Sequence, residues 1–373
     1  MNHSVIITGS FKGVSGHDNH VRSIVRCLHN RGVQIELRDL PGWSAAKLPD
    51  SQQDPWFQAL TRPLDAQSHL FFCMPEQVFE DAQSHTVNYT MFESDRIPSH
   101  WVEKARKLDL TIVPTESCRL AWLASGVPAQ KLRVVPLGVD ITRFKPGLPR
   151  MNLATSDGKN VNDFSVRFLN VAEVIARKNH IGLLRAWLSA TNRSDDAVLI
   201  LKPGFYMPNA HHRLAQKIQE LEQEAGKTLQ QAAHIFWISG TLPDSYIPSL
   251  YATATHYVSA SFGEGFDLPM LESASSGLQL IAPRHSAYLD YLNDDIAHLI
   301  GAMERPASQP EHPGLDKLFL GSNWWEPDIE QLTDTIRRII SGRAASKLSA
   351  RAAVSELTWD RTASELHSLL FDR

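Results

Sequence analysis

Two carboxylates, Glu264 and Glu272, stand within the stretch YVSASFGEGFDLPMLESASSG (residues 257–277), which is otherwise mostly apolar, small or glycine-bearing. THYVSAS reads as a strand and FGEGFD as the loop that leaves it. A helix starts at Leu268 or Pro269, since proline is preorganised for a first turn and its missing N–H costs nothing there; it ends at Gly277. In an open parallel sheet, ligands bind beyond the carboxyl ends of the strands, where loops lead into helix N-termini. Free backbone N–H groups of residues 268–271 would form an anion site, with Glu264 before the helix and Glu272 about one turn inside it. A carboxylate is a poor phosphate partner but a good bidentate acceptor for sugar hydroxyls. The arrangement suits an extended ligand with hydroxyls at both ends and a diphosphate in the middle, as in a nucleotide sugar. The same spacing also fits a solvated Glu264 and a Glu272 favoured by the helix dipole. Asp267 takes the N-cap position, where its side chain is expected to bond its own helix's N–H groups and compete with phosphate.

Such residues need a sheet-and-helix frame. Short β-branched or apolar runs alternate with helical patterns throughout the 373 residues, a length that suits two domains with developed cores. SVIITG (4–9) reads as a buried strand, SFKGVSG as a glycine-bearing turn, HDNHVRSIVRCLHNR as a helix closed by Gly32, and VQIEL as the next strand. HLFFCM (69–74), HTVNYTMF (85–92), DLTIVP (109–114) and LRVVPLG (132–138) complete a doubly wound first domain over 1–150. Residues 143–163, rich in Pro, Gly, Ser, Asn and Asp, read as an interdomain linker or extended excursion. A second domain over 164–345 carries VRFLNVA, AVLILKPG, HIFWISG, THYVSAS and LQLIAP as strands, with helices near 180–191, 211–226, 268–276 and 327–342. A terminal helix within 358–373 has Trp359, Leu366, Leu369 and Leu370 as apolar anchors.

Composition narrows the partners. With 43% hydrophobic and 21% charged residues and a net charge of -4, no global basic field points to nucleic acid. Cys27, Cys73 and Cys118 are scattered without a CxxC pair, which favours buried thiols in a reducing compartment and argues against zinc. The first residues lack a signal-peptide pattern, and no run reaches the ~18 residues of a membrane span. The expectation is a cytoplasmic protein, with peripheral contact at the inner face of the membrane left open.

The segment EGFDLPMLE resembles the E-x7-E motif of retaining glycosyltransferases with the GT-B fold, the GT4 or "glycosyl transferases group 1" family. GVDITRFKP (138–146) resembles the segment before that family's second domain, ARKNH (176–180) its basic loop, and ISGTLPDSYIPSLYATA (238–254) the approach to its motif strand. The resemblance covers nearly the whole chain and is strong between about 109 and 290. It implies an α/β fold of two Rossmann-like domains facing a central cleft, the first completed by the terminal helix. It also implies transfer of a sugar, with retention and without a metal cofactor, from a nucleotide-sugar to a hydroxyl of a glycan or lipid-linked acceptor. By position, Glu272 would hold the donor's ribose hydroxyls and Glu264 the transferred sugar. Gly265, Phe266 and Leu268 would offer backbone N–H groups, with Asp267, Gly240 and Thr241 in the same donor site. Lys178 would neutralise the departing diphosphate; Glu173 stands where the family carries an arginine, and Arg177 is the candidate substitute. Asp267 replaces a common glycine. In the first domain, Gly13, Ser15 and Gly16 of the GVSG turn match a loop for acceptor or diphosphate. TMFESDRIP (90–98) places Phe92, Glu93, Ser94 and Asp95 where the family often has a histidine.

Other signals are weaker. The GVSG turn lacks the full GxGxxG fingerprint, which argues against a nicotinamide enzyme. GHDNH and AHHRL form no defined metal-ligand set, and the acids of ESD (93–95) and NDD (293–295) read as solvated turns. Trp43, Trp56, Trp101 and Trp122 suit core packing or sugar stacking, and Arg22, Arg26 and Arg31 a solvated face or a lipid contact. Two other readings stay open: a catalytically silent nucleotide-sugar or glycan binder of the same fold, and a GT-B phosphorylase or epimerase.

Overall fold

A computed structural model describes residues 3–372 apart from 41, 44–46, 50, 52, 80–83 and 206, so Arg373 of the terminal-helix reading lies outside the described residues. The chain divides into two compact units. One comprises Met1–Val139, Leu318–Ser322 and Glu356–Arg373, the other Asp140–Lys317 and Asn323–Ser355.

The first unit holds six strands: β1 (Ser4–Gly9), β2 (Gln34–Asp39), β3 (Ser68–Phe72), β4 (His85–Tyr89), β5 (Leu110–Val113) and β6 (Leu132–Val134). They form one parallel sheet in the order β2-β1-β3-β4-β5-β6. Every residue of β1 and β3 is buried, as expected for strands covered by helices on both faces. Trp101 and Trp122 lie in the core, whereas Trp43 and Trp56 are only partly covered. The strand read over 132–138 ends at Val134, because the chain then turns to meet the start of the terminal helix, where Val139 N–H donates to Leu357 O at 2.9 Å.

The second unit repeats the plan with β7 (Val166–Glu173), β8 (Ala197–Gly204), β9 (His234–Trp237), β10 (His256–Val258), β11 (Gln279–Pro283) and β12 (Ala297–Ile300). Its parallel order is β12-β11-β10-β7-β8-β9. The order of strands along the sheet reverses between β7 and β10, the place where doubly wound folds open a crevice beyond their carboxyl ends. Phe168, Leu183, Trp187, Leu199, Leu332 and Ile336 anchor the core beneath. An antiparallel pair, β13 (Ala302–Pro306) and β14 (Asn323–Pro327), follows β12.

Residues 143–163 pack within the second unit instead of linking the two. Phe144, Val161 and Phe164 are buried there, and Phe144 O accepts from Ser275 Oγ at 2.6 Å and Arg351 Nη1 at 2.8 Å. Three apolar anchors suffice to tie down a segment whose composition is otherwise that of a loop.

Candidate functional site

The turn after β7 and the loop after β10 flank the reversal point of the second sheet, and the basic and acidic candidates sit on these two segments. After β7 the chain makes a short 3-10 turn over Ala176–Lys178 and enters the helix His180–Ala190 through Asn179, which is left-handed at φ 48°. Asn179 Oδ1 accepts from Gly182 N–H at 3.0 Å. A Cβ on Gly182 would lie 2.4–2.7 Å from the Asn179 amide, so only glycine permits this cap. The cap fixes Arg177 and Lys178 just before the helix.

Their charges converge on Glu264. Lys178 Nζ lies 2.6 Å from Oε1 and Arg177 Nη1 3.0 Å from Oε2, and Glu264 is 4% exposed. Burial alone would raise this carboxyl, but Lys178 and Arg177 outweigh it and hold the group down at about 2. Arg177 also donates to Gly263 O at 2.6 Å, while Phe262 N–H and Ser261 Oγ donate to Arg177 O. The two segments are therefore stitched at backbone and side chain alike.

Beneath Glu264 lies a set of residues that no sequence motif singled out. Glu264 N–H donates to Ser286 Oγ at 3.2 Å. His285 Nε2 lies 2.7 Å from Ser261 O, and a carbonyl can only accept, so Nε2 carries the proton and Nδ1 accepts from Ser286 at 2.7 Å. Burial lowers His285 to about 4, which keeps it neutral. Trp325 stacks on His285 with centroids 5.4 Å apart, Trp324 stacks on Phe262, and Trp325 N–H donates to Phe262 O at 2.8 Å. The β13–β14 pair thus braces the loop after β10.

The helix Leu268–Ser275 begins as the sequence suggests and ends before Gly277, which is left-handed at φ 82°. Its start differs in two respects from the expectation. Asp267 makes no side-chain cap; its backbone carbonyl accepts from Met270 and Leu271 N–H at 3.1 and 3.2 Å, and its carboxylate turns to Tyr288 O–H at 2.7 Å. Pro269 has no N–H, so of residues 268–271 the Leu268 N–H alone is without a hydrogen bond among the described residues. Phe266 is buried against Tyr291, whose hydroxyl donates to Phe266 O at 2.8 Å, and Gly265 lies between Glu264 and Phe266 in the same loop.

Glu272 is partly buried and accepts from Tyr251 O–H at 2.6 Å. Burial pushes its carboxyl up to about 7, partly offset by Tyr251 and by the charge of Arg143. Arg143 pairs with Asp244 at 2.8 Å. Asp244 lies on the loop that leaves β9 through Gly240, left-handed at φ 86°, and Thr241, both exposed. The described residues thus bring Arg177, Lys178, Glu264 and Asp267 together, with Glu272 a turn further along the helix.

In the first unit, Gly13, Ser15 and Gly16 follow β1 at that sheet's own reversal point. In this loop, matched to one for acceptor or diphosphate, the Gly13 and Ser15 N–H groups donate to the buried Asp18 carboxylate at 2.8 and 3.1 Å. Ser15 and Asp18 form a capping box on the helix Gly16–Asn30. A resident carboxylate takes the place that a phosphate would need on these two groups. Glu93 and Asp95 lie partly exposed on the loop after β4, Asp95 beside Arg96 at 3.3 Å. Among the described residues, no three His, Cys, Asp or Glu side chains gather as a metal set, and no helix is long and apolar enough to cross a membrane.

No protein-family model matches the chain. A curated relative, the alpha-monoglucosyldiacylglycerol synthase of Streptococcus pneumoniae, is 27% identical over 191 residues, which is 50% of this chain and 40% of that protein. Among solved structures, sucrose-phosphate synthase from Thermosynechococcus elongatus superposes with a TM-score of 0.67 at 14% identity, covering 99% of this chain and 98% of that one. HepE of Anabaena, solved with UDP and glucose, gives a TM-score of 0.67 at 13% identity over 100% of both chains. Twin six-stranded parallel sheets, each wound on both faces and matched along the full chain, give this protein the GT-B fold.

Proposed function

We propose that the chain is a glycosyltransferase that moves a sugar from a nucleotide-sugar donor to an acceptor hydroxyl, with retention and without a metal cofactor. The observation that carries this reading is the clamp of Lys178 and Arg177 on buried Glu264 at the reversal point of the second sheet. A diphosphate approaching the Leu268 N–H meets the positive end of the helix, and Lys178 is the cation to shift towards the leaving oxygen. In the transfer, the bond from the anomeric carbon to phosphate breaks, the bond to the acceptor oxygen forms on the same face, and the departing phosphate oxygen takes the acceptor proton. Glu264 then orients the cations and contacts the sugar; Glu272, held by Tyr251, receives the ribose hydroxyls. Gly265, Phe266, Gly240 and Thr241 complete the donor site, and the loops bearing Gly13, Ser15, Gly16, Glu93 and Asp95 are the acceptor-side elements. The relative in Streptococcus pneumoniae, named as a glucosyl-lipid synthase, and the UDP and glucose held by HepE support this class of donor, and a glycan or lipid-linked acceptor. A cytoplasmic enzyme working at the membrane face fits the same reading.

The test is a thermal-shift panel of UDP-, GDP-, ADP- and dTDP-sugars, followed by product analysis with the best donor. A donor that raises Tm and is consumed in the presence of acceptor is expected. A raised Tm with neither transfer nor hydrolysis would instead mark a silent binder, and consumption with free phosphate as sole acceptor a phosphorylase.

A further inference from the structure

Asp267 sits where the loop after β10 becomes a helix, in a left-handed conformation (φ 69°, ψ 75°) and only 7% exposed. One carboxylate oxygen, Oδ2, accepts from Tyr288 O–H at 2.7 Å; the other, Oδ1, is buried and makes no hydrogen bond. The Tyr288 oxygen also lies 2.7 Å from Ser259 Oγ. A phenol has one proton to give, so Ser259 donates to Tyr288 and Tyr288 to Asp267, which leaves Oδ1 as the unsatisfied end of the relay. The charge of Lys178 relieves Asp267 only in part, and Lys178 and Arg177 both bond to Glu264.

The two cations of this cluster, Lys178 and Arg177, are already matched by Glu264 and Asp267, with Glu272 a turn further along the helix. A sugar-bound diphosphate brings two negative charges to the Leu268 N–H, one residue from a buried carboxylate. We propose that Asp267 takes up a proton from solvent when such a donor binds, and that the protonated Oδ1 donates to a phosphate or sugar oxygen of the ligand. Donor affinity then depends on pH through this one residue. The inference rests on the nucleotide-sugar reading above and names a regulation of that same site.

The groups facing Asp267 are Glu264 on its own loop, Glu272 on its helix, Lys178 after β7, Tyr257 of β10, Tyr288 and Tyr291 of the helix Tyr288–Tyr291, and Tyr251 of the helix Ile247–Thr253. Burial pushes all four tyrosines well above their ordinary range, so they stay neutral. Glu264 stays ionised near 2. Burial, with the charge of Glu264, lifts Asp267 to about 6, and Glu272 lies at about 7. Two acids therefore titrate near neutrality, and a variant must separate them.

Asp267→Asn does so. Asparagine matches the protonated acid in shape and tolerates left-handed backbone. Titration calorimetry with UDP-glucose, and then with GDP-, ADP- and dTDP-glucose, is run at pH 7.5 in buffers of different ionisation enthalpy and repeated between pH 5.5 and 8. The sugar-bound diphosphate does not titrate in this range. Wild type is expected to take up a proton, with affinity falling up to about tenfold per pH unit above 6. Asp267→Asn should lose that uptake and bind roughly fivefold or more tightly than wild type at pH 8. Should the variant fold poorly, Asp267→Gly, suited to the same backbone, must lose the uptake as well. Uptake that persists in the variants, binding without uptake in wild type, or weaker binding by Asp267→Asn at pH 8 each overturns the proposal alone. Absence of binding by all four sugars, to wild type and variant alike, overturns the nucleotide-sugar reading and this inference with it.

Discussion

Glu264 and Glu272, eight residues apart, hold their protons in opposite ways. Glu264 is ionised by two cations within 3.0 Å, whereas the partly buried Glu272 has a phenol donor, no cation at hydrogen-bond distance among the described residues, and lies at about 7. The sign of the Glu272 effect follows from linkage. Its folded value lies above the ordinary 4.5, so its contribution to stability is full below about 4.5 and is lost as pH rises through 7. Glu272→Gln should therefore stabilise the ligand-free protein by roughly 1–2 kcal/mol at pH 8 and by little at pH 4.5. Urea denaturation at the two pH values checks this. Glu272→Ala should weaken nucleoside diphosphate binding by roughly 1.5–3 kcal/mol, the range for hydrogen bonds to a charged group; unchanged affinity in a folded variant removes Glu272 from the site. Lys178→Ala should lower kcat more than donor affinity, since the charge it meets grows towards the transition state. A kcat within about threefold of wild type, under ~1 kcal/mol on the barrier, would transfer the role to Arg177. At this scale the sequence was half legible. The acids and cations stand out by type and spacing, but that Lys178 and Arg177 close on Glu264, and that Asp267 turns from its helix to Tyr288, depends on side-chain directions that no spacing encodes.

Elements were easier to read than their contacts. β1, β7 and β10 announce themselves as β-branched or apolar runs followed by glycine or polar turns, and the start and end of the Leu268–Ser275 helix follow from Pro269 and Gly277. The β13–β14 pair did not. NWWEP shows no clean alternation, and its pairing with Ala302–Pro306 spans a long insertion, so neither period nor turn chemistry marks it. Yet Trp324 and Trp325 press on Phe262 and His285, and Arg305 lies over the Phe262 ring at 4.9 Å. A loop that must hold Glu264 to within a fraction of an ångström needs such backing. Trp325→Ala should speed amide hydrogen exchange across residues 259–264 and lower turnover at least fivefold, with β7 and β8 amides keeping their protection. If exchange rises evenly through the second unit instead, Trp325 is a core residue with no special claim on the loop.

At the scale of the whole chain, the twofold recurrence of strand–helix alternation gives both sheets away, while the partition of the chain between them does not follow from composition. Residues 143–163 look like a linker and pack within the second unit; Leu318–Ser322 leaves that unit's sequence to join the first, where Phe319 stacks on Phe92 at 4.6 Å. The terminal helix Trp359–Phe371 likewise belongs to the first unit. Trp359 stacks on His20 with centroids 5.6 Å apart, and Thr362 Oγ1 donates to Pro136 O at 2.8 Å. Gly138 makes the approach possible, since a Cβ there would lie 2.2 Å from Trp359 N. The proposed donor-site residues Lys178, Glu264, Asp267 and Glu272 all lie in the second unit. Truncating Trp359 should consequently cost stability in one unit and leave ligand affinity in the other. Trp359→Ala is expected to destabilise by about 3–5 kcal/mol, the range for a large buried aromatic. Calorimetric unfolding gives that cost, and titration with a nucleoside diphosphate at a temperature where the variant is folded gives the affinity, expected within twofold of wild type. A bound nucleotide should raise Tm in both proteins by the amount its concentration over Kd dictates. A tenfold loss of affinity in folded Trp359→Ala would mean that the first unit's packing reaches the donor residues, and the assignment of donor binding to the second unit alone would have to be abandoned.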